Sequence, residues 1–183
     1  IGAIGDMAEV TSGKRPDMRY PEASADANIP LWGGNGPMAF VPEPLIDDPI
    51  LLTGRVGTLG SVFRITSPCW PSDNTLILRA EKRHVFEYLF FQLRRVEFSS
   101  LNRGSTQPLL TQTDLKAQRL LFPPSDLLAR FHAVAEGLYG RIDQAEAESR
   151  TLAALRDTLL PKLLSGEIRV KDAKKLVDVK HGS

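Results

Sequence analysis

The stretch 125–160 constrains the fold of this chain most strongly, because it contains no proline and two glycines. The residues before it are interrupted by proline and glycine throughout. The change falls at Pro123-Pro124, and proline ends backbone hydrogen-bond ladders. We therefore place a domain boundary after residue 124, with a long helix following it.

The helix is predicted to begin with Ser125 or Asp126 as its N-cap, to be interrupted at Pro161 and to end before Gly166. Residues 126–160 would span roughly 52 Å at 1.5 Å per residue. Apolar side chains recur on one face at steps of three and four residues, a spacing typical of helices that pack on other helices. This apolar seam contains Phe131, Val134, Leu138, Ile142, Leu152, Leu155 and Leu159. The preceding domain is too small to cover it, so we expect a second helix against it.

The first 124 residues combine short apolar runs with turn residues, which predicts strands and short helices in one α+β domain. Predicted strands are 50–53, 61–65, 74–79 and 120–122, and predicted helical segments are 84–95 and 113–115. The predicted architecture is a compact mixed domain, residues 1–124, a long coiled-coil-type helix, residues 125–165, and a polar tail, residues 166–183.

Charge does not identify a partner. Residues 1–124 contain 13 basic and 13 acidic side chains, and the whole chain has a formal net charge of +1. Many DNA-binding domains are clearly basic, so any positive surface must come from the placement of individual arginines. No apolar run approaches the ~18 residues of a membrane helix, and no secretory signal is visible. With Cys69 as its one cysteine, the chain is expected in the reducing cytoplasm.

Five short motifs occur in order along the first domain. They are a Gly-Lys turn at 11–16, an Ile-Pro strand leading to a glycine loop at 29–36, a Leu-x-x-x-Arg-x-Gly-x-x-Gly segment at 51–60, Gly-Ser-Thr-Gln at 104–107 and Leu-x-Pro-Pro at 121–124. With the later LRDTLLPKLLSGEIRV stretch, they resemble the specificity subunits of type I restriction–modification enzymes over roughly residues 4–170. Each motif is weak alone, and their order makes the resemblance fairly specific.

The resemblance implies a subunit that reads double-stranded DNA and performs no chemistry. It implies two protein partners: a DNA methyltransferase subunit, which uses S-adenosylmethionine, and an ATP-dependent restriction subunit. Neither cofactor is expected to bind here. A complete subunit of this family carries two recognition domains and two long helices, whereas this chain has one of each. We expect either a fragment or a half-subunit that forms a homodimer and reads a bipartite palindrome.

Donor-rich side chains in the motif loops are the candidate DNA contacts. Lys14 and Arg15 suit phosphate, Asn35 suits an adenine edge, and Arg55, on a glycine turn, suits phosphate or a guanine edge. The loop after the 84–95 helix adds Arg103, Ser105, Thr106 and Gln107. Each has a structural alternative: Asn35 in a turn with positive φ, Arg55 in an ion pair that braces the fold, and the last loop shaping the domain. Trp32, next to the glycine loop, is predicted to pack in the core.

No catalytic or metal-binding pattern is visible. His84, His132, His181 and Cys69 show no ligand spacing, and the glycines at 54, 57 and 60 fit neither nucleotide-loop pattern. Neither a methyltransferase motif nor a convincing nuclease motif is present. The alternative to DNA recognition is a coiled-coil assembly or adaptor module without DNA binding, which the neutral charge of the first domain slightly favours.

Overall fold

The computed structural model describes residues 1–57, 59–104 and 107–169. The described strands are β1 (Gly2–Ala3), β2 (Ala8–Ser12), β3 (Ile29–Gly33), β4 (Gly36–Val41), β5 (Ile50–Gly54), β6 (Val62–Ile65), β7 (Trp70–Pro71), β8 (Thr75–Ala80) and β9 (Arg119–Leu120). The helices are α1 (Phe86–Leu93), α2 (Gln112–Ala117) and α3 (Ser125–Leu164), with 3-10 turns at Ile4–Asp6, Arg83–Val85 and Phe98–Leu101. The α+β domain followed by a long helix is confirmed.

The centre of the domain is an antiparallel sheet with the strand order β2-β8-β5-β6. Strand β5 is buried along its whole length, as its continuous apolar run predicts. The hydrophobic core on this sheet contains Ile50, Leu52, Ile65, Cys69 and Ile77, with Trp32 and Phe63 packed against it. Trp32 therefore packs in the core as predicted.

Two smaller sheets complete the strand pairing in the described residues. Strand β3 lies between β4, with which it is antiparallel, and β7, with which it is parallel. Strand β1 pairs with β9, so Gly2 lies opposite Leu120. The predicted strand at 120–122 is displaced to Arg119–Leu120, the two residues that pair with β1.

Cys69 is a free cysteine buried in the domain. Burial, and secondarily the charge of Asp47, raises the pKa of the Cys69 thiol to about 11, so this thiol is protonated at neutral pH. None of the described helices is long and apolar enough to cross a membrane. Nor do the described histidines, cysteines and acidic residues group into a cluster suited to a metal ion.

The ends of α3 differ from the prediction. The carbonyl of Pro124 accepts hydrogen bonds from the N–H groups of Leu127 and Leu128, so Pro124 is the N-cap and Ser125 lies inside the helix. The predicted break at Pro161 is wrong, since the helix continues to Leu164. Pro161 is exposed, so a carbonyl left without its partner can bond to water. Gly166, with φ of 75°, follows the last turn.

The described chain divides into two compact units, Ile1–Val134 and Ala135–Ser183, and the second is described through residue 169. The first unit contains the α+β domain together with the first turns of α3. The second contains the rest of α3. Its apolar side chains Leu138, Ile142 and Leu152 are about half exposed, whereas Leu155 and Leu159 are partly buried.

Candidate nucleic-acid interface

Several chain reversals lie at one end of the four-stranded sheet. Ser12, the last residue of β2, lies opposite Leu76, and Gly54, the last residue of β5, lies opposite Thr75 at the start of β8. Thr53 in turn lies opposite Val62, the first residue of β6. Because the paired strands are antiparallel, the segments after Ser12 and Gly54 and before Thr75 all emerge at this end.

The turn between β3 and β4 joins the same end. The N–H of Ser72 bonds to the carbonyl of Trp32 at 2.9 Å, and the rings of Trp32 and Phe63 lie 5.3 Å apart between centroids. Asn35 is exposed in this turn. Positive φ at Asn35, the structural alternative to a DNA contact, is not found. The positive φ of this turn is at Gly36, at 120°, because glycine adopts that conformation without steric cost.

The backbone of the Gly13 turn is fixed against the segment before β8. The N–H of Lys14 bonds to the carbonyl of Pro71 at 3.0 Å, and the indole N–H of Trp70 bonds to the carbonyl of Lys14 at 2.8 Å. A Cβ atom on Gly13 would overlap the carbonyl oxygens of Pro71 and Ser72, so the close approach requires glycine. Lys14 is exposed, and so is the neighbouring Arg15.

The Arg55 turn and the loop after the α1 region form one hydrogen-bonded unit. The N–H of Leu110 bonds to the carbonyl of Arg55 at 2.8 Å, and the N–H of Gly57 bonds to the carbonyl of Pro108 at 3.0 Å. Gly57 has φ of 80°, which favours glycine in this turn. The Arg55 turn and the loop that contains Arg103, which were predicted separately as DNA contacts, are therefore neighbours in the structure.

Asn102 closes the second of these loops. Its side-chain oxygen accepts hydrogen bonds from the N–H groups of Gly104 and Leu109, both at 2.9 Å. The N–H of Arg103 also bonds to the carbonyl of Leu109. Gln107 is exposed, whereas Ser105 and Thr106, the other two nominated residues of this loop, lie outside the described residues.

Arg103 forms an ion pair that the sequence did not reveal. Its Nε lies 3.1 and 3.2 Å from the two carboxylate oxygens of Asp114, and its Nη2 lies 2.7 Å from Oδ1. The hydroxyl of Thr111 donates to Oδ2 of Asp114 at 2.7 Å. The hydrogen bonds from Arg103 and then from Thr111 lower the pKa of Asp114, so its charged form is favoured.

Arg55 has a different environment. Its side chain is partly buried, and its buried Nε has no hydrogen-bond partner within the described residues. An unsatisfied buried donor costs about 1–3 kcal/mol. Its backbone is fixed by Leu110 and by a 2.9 Å bond from its N–H to the carbonyl of Asn74. These two bonds fix the position of the Arg55 backbone.

A buried ionic group connects the domain to the beginning of α3. Glu87 of α1 is 2% exposed, and its Oε2 lies 2.6 Å from Nδ1 of His132. Its Oε1 lies 3.7 Å from Nη2 of Arg64, whose guanidinium lies over the ring of Phe86. The sequence analysis missed Glu87, although an acidic residue inside the apolar helix VFEYLFF is a visible signal for a buried charge.

The described loops place exposed hydrogen-bond donors at one end of an antiparallel sheet, an arrangement that suits a binding module. The model of the "Type I restriction modification DNA specificity domain" family matches residues 1–127. The chain therefore belongs to this family, and the resemblance inferred from the motifs is confirmed.

Individual relatives agree with this assignment. The chain is 33% identical over 93 residues to the type I restriction enzyme MjaIX specificity subunit of Methanocaldococcus jannaschii, an alignment that covers 50% of this chain and 21% of that subunit. The S subunit of a type I restriction–modification system from M. genitalium has a TM-score of 0.72 at 16% identity, over 89% of this chain and 45% of its own. The HsdS subunit from Thermoanaerobacter tengcongensis has a TM-score of 0.53 at 18% identity. The match covers 91% of this chain and 44% of that subunit. These structures share the fold, and the chain spans less than half of each.

Proposed function

We propose that this chain selects the DNA sequence at which a type I restriction–modification enzyme acts. The observation that supports the proposal best is that Lys14, Asn35, Arg55 and the described segments 102–104 and 107–110 lie at one end of the sheet. The sequence predicted these candidates from separate motifs. Loops on a rigid sheet can enter a DNA groove while the scaffold keeps their spacing.

The proposed contacts divide by chemistry. Lys14 and Arg15, exposed on a backbone fixed by Pro71, would bind phosphates and set the position of the domain on the duplex. Arg55, Asn35 and Gln107 would face base edges, where arginine suits guanine and the amides suit adenine. Ser105 and Thr106 are proposed phosphate contacts from the sequence alone. Recognition would thus depend on a few arginines rather than on net charge.

The partners follow from the family and are likewise proposed. Methylation and cleavage would be performed by a methyltransferase subunit and a restriction subunit, and the chain would work in the cytoplasm. We assign residues 1–124 to DNA recognition, 125–165 to spacing and contact with the methyltransferase subunit, and 166–183 to a polar tail. The chain itself would bind neither S-adenosylmethionine nor ATP.

We further propose that α3 pairs with α3 of a second copy. Val134, Leu138, Ile142 and Leu152 expose large apolar side chains at helical spacing. Soluble monomers seldom leave a continuous apolar surface of this kind in water. Two identical chains related by a twofold axis would bury one another's seam, probe two half-sites at a fixed separation and read a bipartite palindrome.

The direct test expresses the chain with its methyltransferase subunit in a host and sequences the modified bases of the genome. We expect methylation at one bipartite motif, and none when the chain is omitted. The purified chain alone should neither methylate nor cut DNA. Methylation that keeps the same motif without the chain would overturn the proposal, as would turnover by the chain alone that a mutation in it abolishes.

Replacing Arg55 or Arg103 by alanine is expected to weaken target binding by about 1–3 kcal/mol each, because each variant loses a proposed DNA contact. The measurement is the dissociation constant of the assembled complex on its mapped target, with circular dichroism to monitor folding. Arg119→Ala is the matched control, since Arg119 is exposed opposite Ala3, before the start of β2 and so away from the loops. Folded variants with unchanged target affinity would assign both arginines a structural role.

A further inference from the structure

Arg103 has one edge occupied and one edge available. A guanidinium carries five N–H groups on two edges that can each form paired hydrogen bonds. The edge made by Nε and Nη2 is directed at Asp114. Within the described residues, no carboxylate is recorded at the outer edge made by Nη1 and Nη2. The side chain of Arg103 is 68% exposed, against 15% for Asp114.

Building on the proposed function, we propose that Arg103 reads a guanine with this outer edge and that Asp114 is the residue that positions it. The O6 and N7 atoms of guanine present two acceptors in the major groove, which two parallel N–H groups satisfy. The edge made by Nε and Nη2 is fixed to Asp114. Binding a base therefore costs less side-chain entropy than it would for a freely mobile arginine.

The surroundings of the pair hold it in place at several points. Asp114 is the third residue of α2, its N–H bonds to Oγ1 of Thr111 at 3.1 Å, and the Thr111 hydroxyl bonds back to its carboxylate. On the other side, the backbone of Arg103 is tied to Leu109 within the loop that Asn102 closes. Both partners of the ion pair are therefore fixed by separate elements.

Charge favours a base over a phosphate. The carboxylate of Asp114 offsets the positive charge of Arg103, which weakens attraction to a phosphate anion but leaves two directed donors for a neutral guanine edge. An exposed ion pair stabilises a fold little, so stability gives a weak reason for this arrangement. The geometry points to base discrimination.

The experiment uses the full chain assembled with its methyltransferase subunit and a duplex carrying the mapped target. Each guanine is replaced in turn by 7-deazaguanine, which lacks the N7 acceptor, or by inosine, which keeps N7 and O6 and lacks the minor-groove amino group. At one guanine of a half-site, we expect 7-deazaguanine to weaken wild-type binding about tenfold, and inosine to leave it unchanged.

Variants of the pair should remove this sensitivity. We expect R103A to bind the 7-deazaguanine and normal duplexes equally, and D114N to lose most of the discrimination while its affinity for unrelated DNA is unchanged or higher. The matched control is D157N, because Asp157 pairs with Arg156 at 2.8 Å on α3, in the other unit. It should keep the full effect. Melting temperatures identify any variant that fails to fold. If D114N does not fold, R103A still tests the proposal, because Arg103 is exposed.

Three outcomes would overturn the proposal. Full discrimination by folded D114N would remove Asp114 as a positioning residue. A uniform loss of affinity in R103A across all sequences, with a salt slope reduced by about one, would make Arg103 a phosphate contact. A wild-type complex that methylates no motif and binds no DNA would refute the proposed function together with this inference.

Discussion

A chain with glutamate at both Ile142 and Leu152 should remain monomeric at concentrations where the unmodified chain has about twice the monomer mass. A buried leucine or isoleucine contributes about 1.5–3 kcal/mol, and each copy of the variant also places charges in the apolar interface. The combined loss should weaken self-association at least about a hundredfold. Light scattering at micromolar concentration measures the mass, and circular dichroism verifies that the helix is still formed.

The control places the same charges on another face of α3. Gln144 and Thr151 are exposed and lie seven residues apart, about half a turn from Ile142 at coiled-coil spacing. The Gln144→Glu, Thr151→Glu chain should keep the mass of the unmodified protein. If the unmodified chain is itself monomeric at high concentration with α3 formed, self-association is excluded. The seam would then bind the methyltransferase subunit or another part of a longer polypeptide.

Replacing Glu87 by alanine is expected to destabilise the domain by about 3–5 kcal/mol, because removing one partner of a buried ionic group leaves the other charge uncompensated. The guanidinium of Arg64 and the ring of His132 are both largely shielded from water beside it. Urea denaturation with fluorescence from the two tryptophans measures the change. Since His132 lies on α3, the first turns of that helix should also lose protection from hydrogen exchange.

Two variants test whether the loss of stability is specific to the buried carboxylate or follows the removal of any carboxylate. Glu87→Gln keeps a side-chain oxygen near His132 and should cost less than the alanine variant. Glu146→Ala removes an exposed carboxylate that lies 3.9 Å from Arg150, and should change stability by no more than about 0.5 kcal/mol. A Glu87→Ala chain as stable as the Glu146→Ala chain would show that the buried group contributes little.

Much of the local structure could be predicted from the sequence. The apolar runs at 50–53, 61–65 and 74–79 became β5, β6 and β8, because each is short, rich in β-branched or leucine residues and bounded by turn residues. The stretch after Pro124, which contains no proline before Pro161, became α3 for the equivalent reason. The order of the five motifs also sufficed to identify the family. These properties depend on neighbouring residues, whose periodicity and turn chemistry are visible in the sequence.

The predicted end of α3 shows where local rules fail. Pro161 cannot donate to the helix ladder, which is why a break was expected there, yet the loss is tolerated at an exposed position. Similarly, Asn35 suits positive φ, but Gly36 adopts it in this turn. In both cases the local preference of one residue type does not determine the conformation that the chain adopts.

The site depended on tertiary structure to a greater extent. The sequence nominated Arg55 and Arg103 as donors but gave no reason for the turn of one to bond to the loop of the other. Nor did it pair Arg103 with Asp114, although Thr111 and Asp114 form a recognisable helix-start pattern, or Glu87 with His132, 45 residues away. Periodicity determines which side of an element is buried, whereas the partners of a buried or paired charge depend on how distant elements meet. The most regular elements and the family could thus be predicted from the sequence, whereas the pairing of distant charges required the tertiary structure.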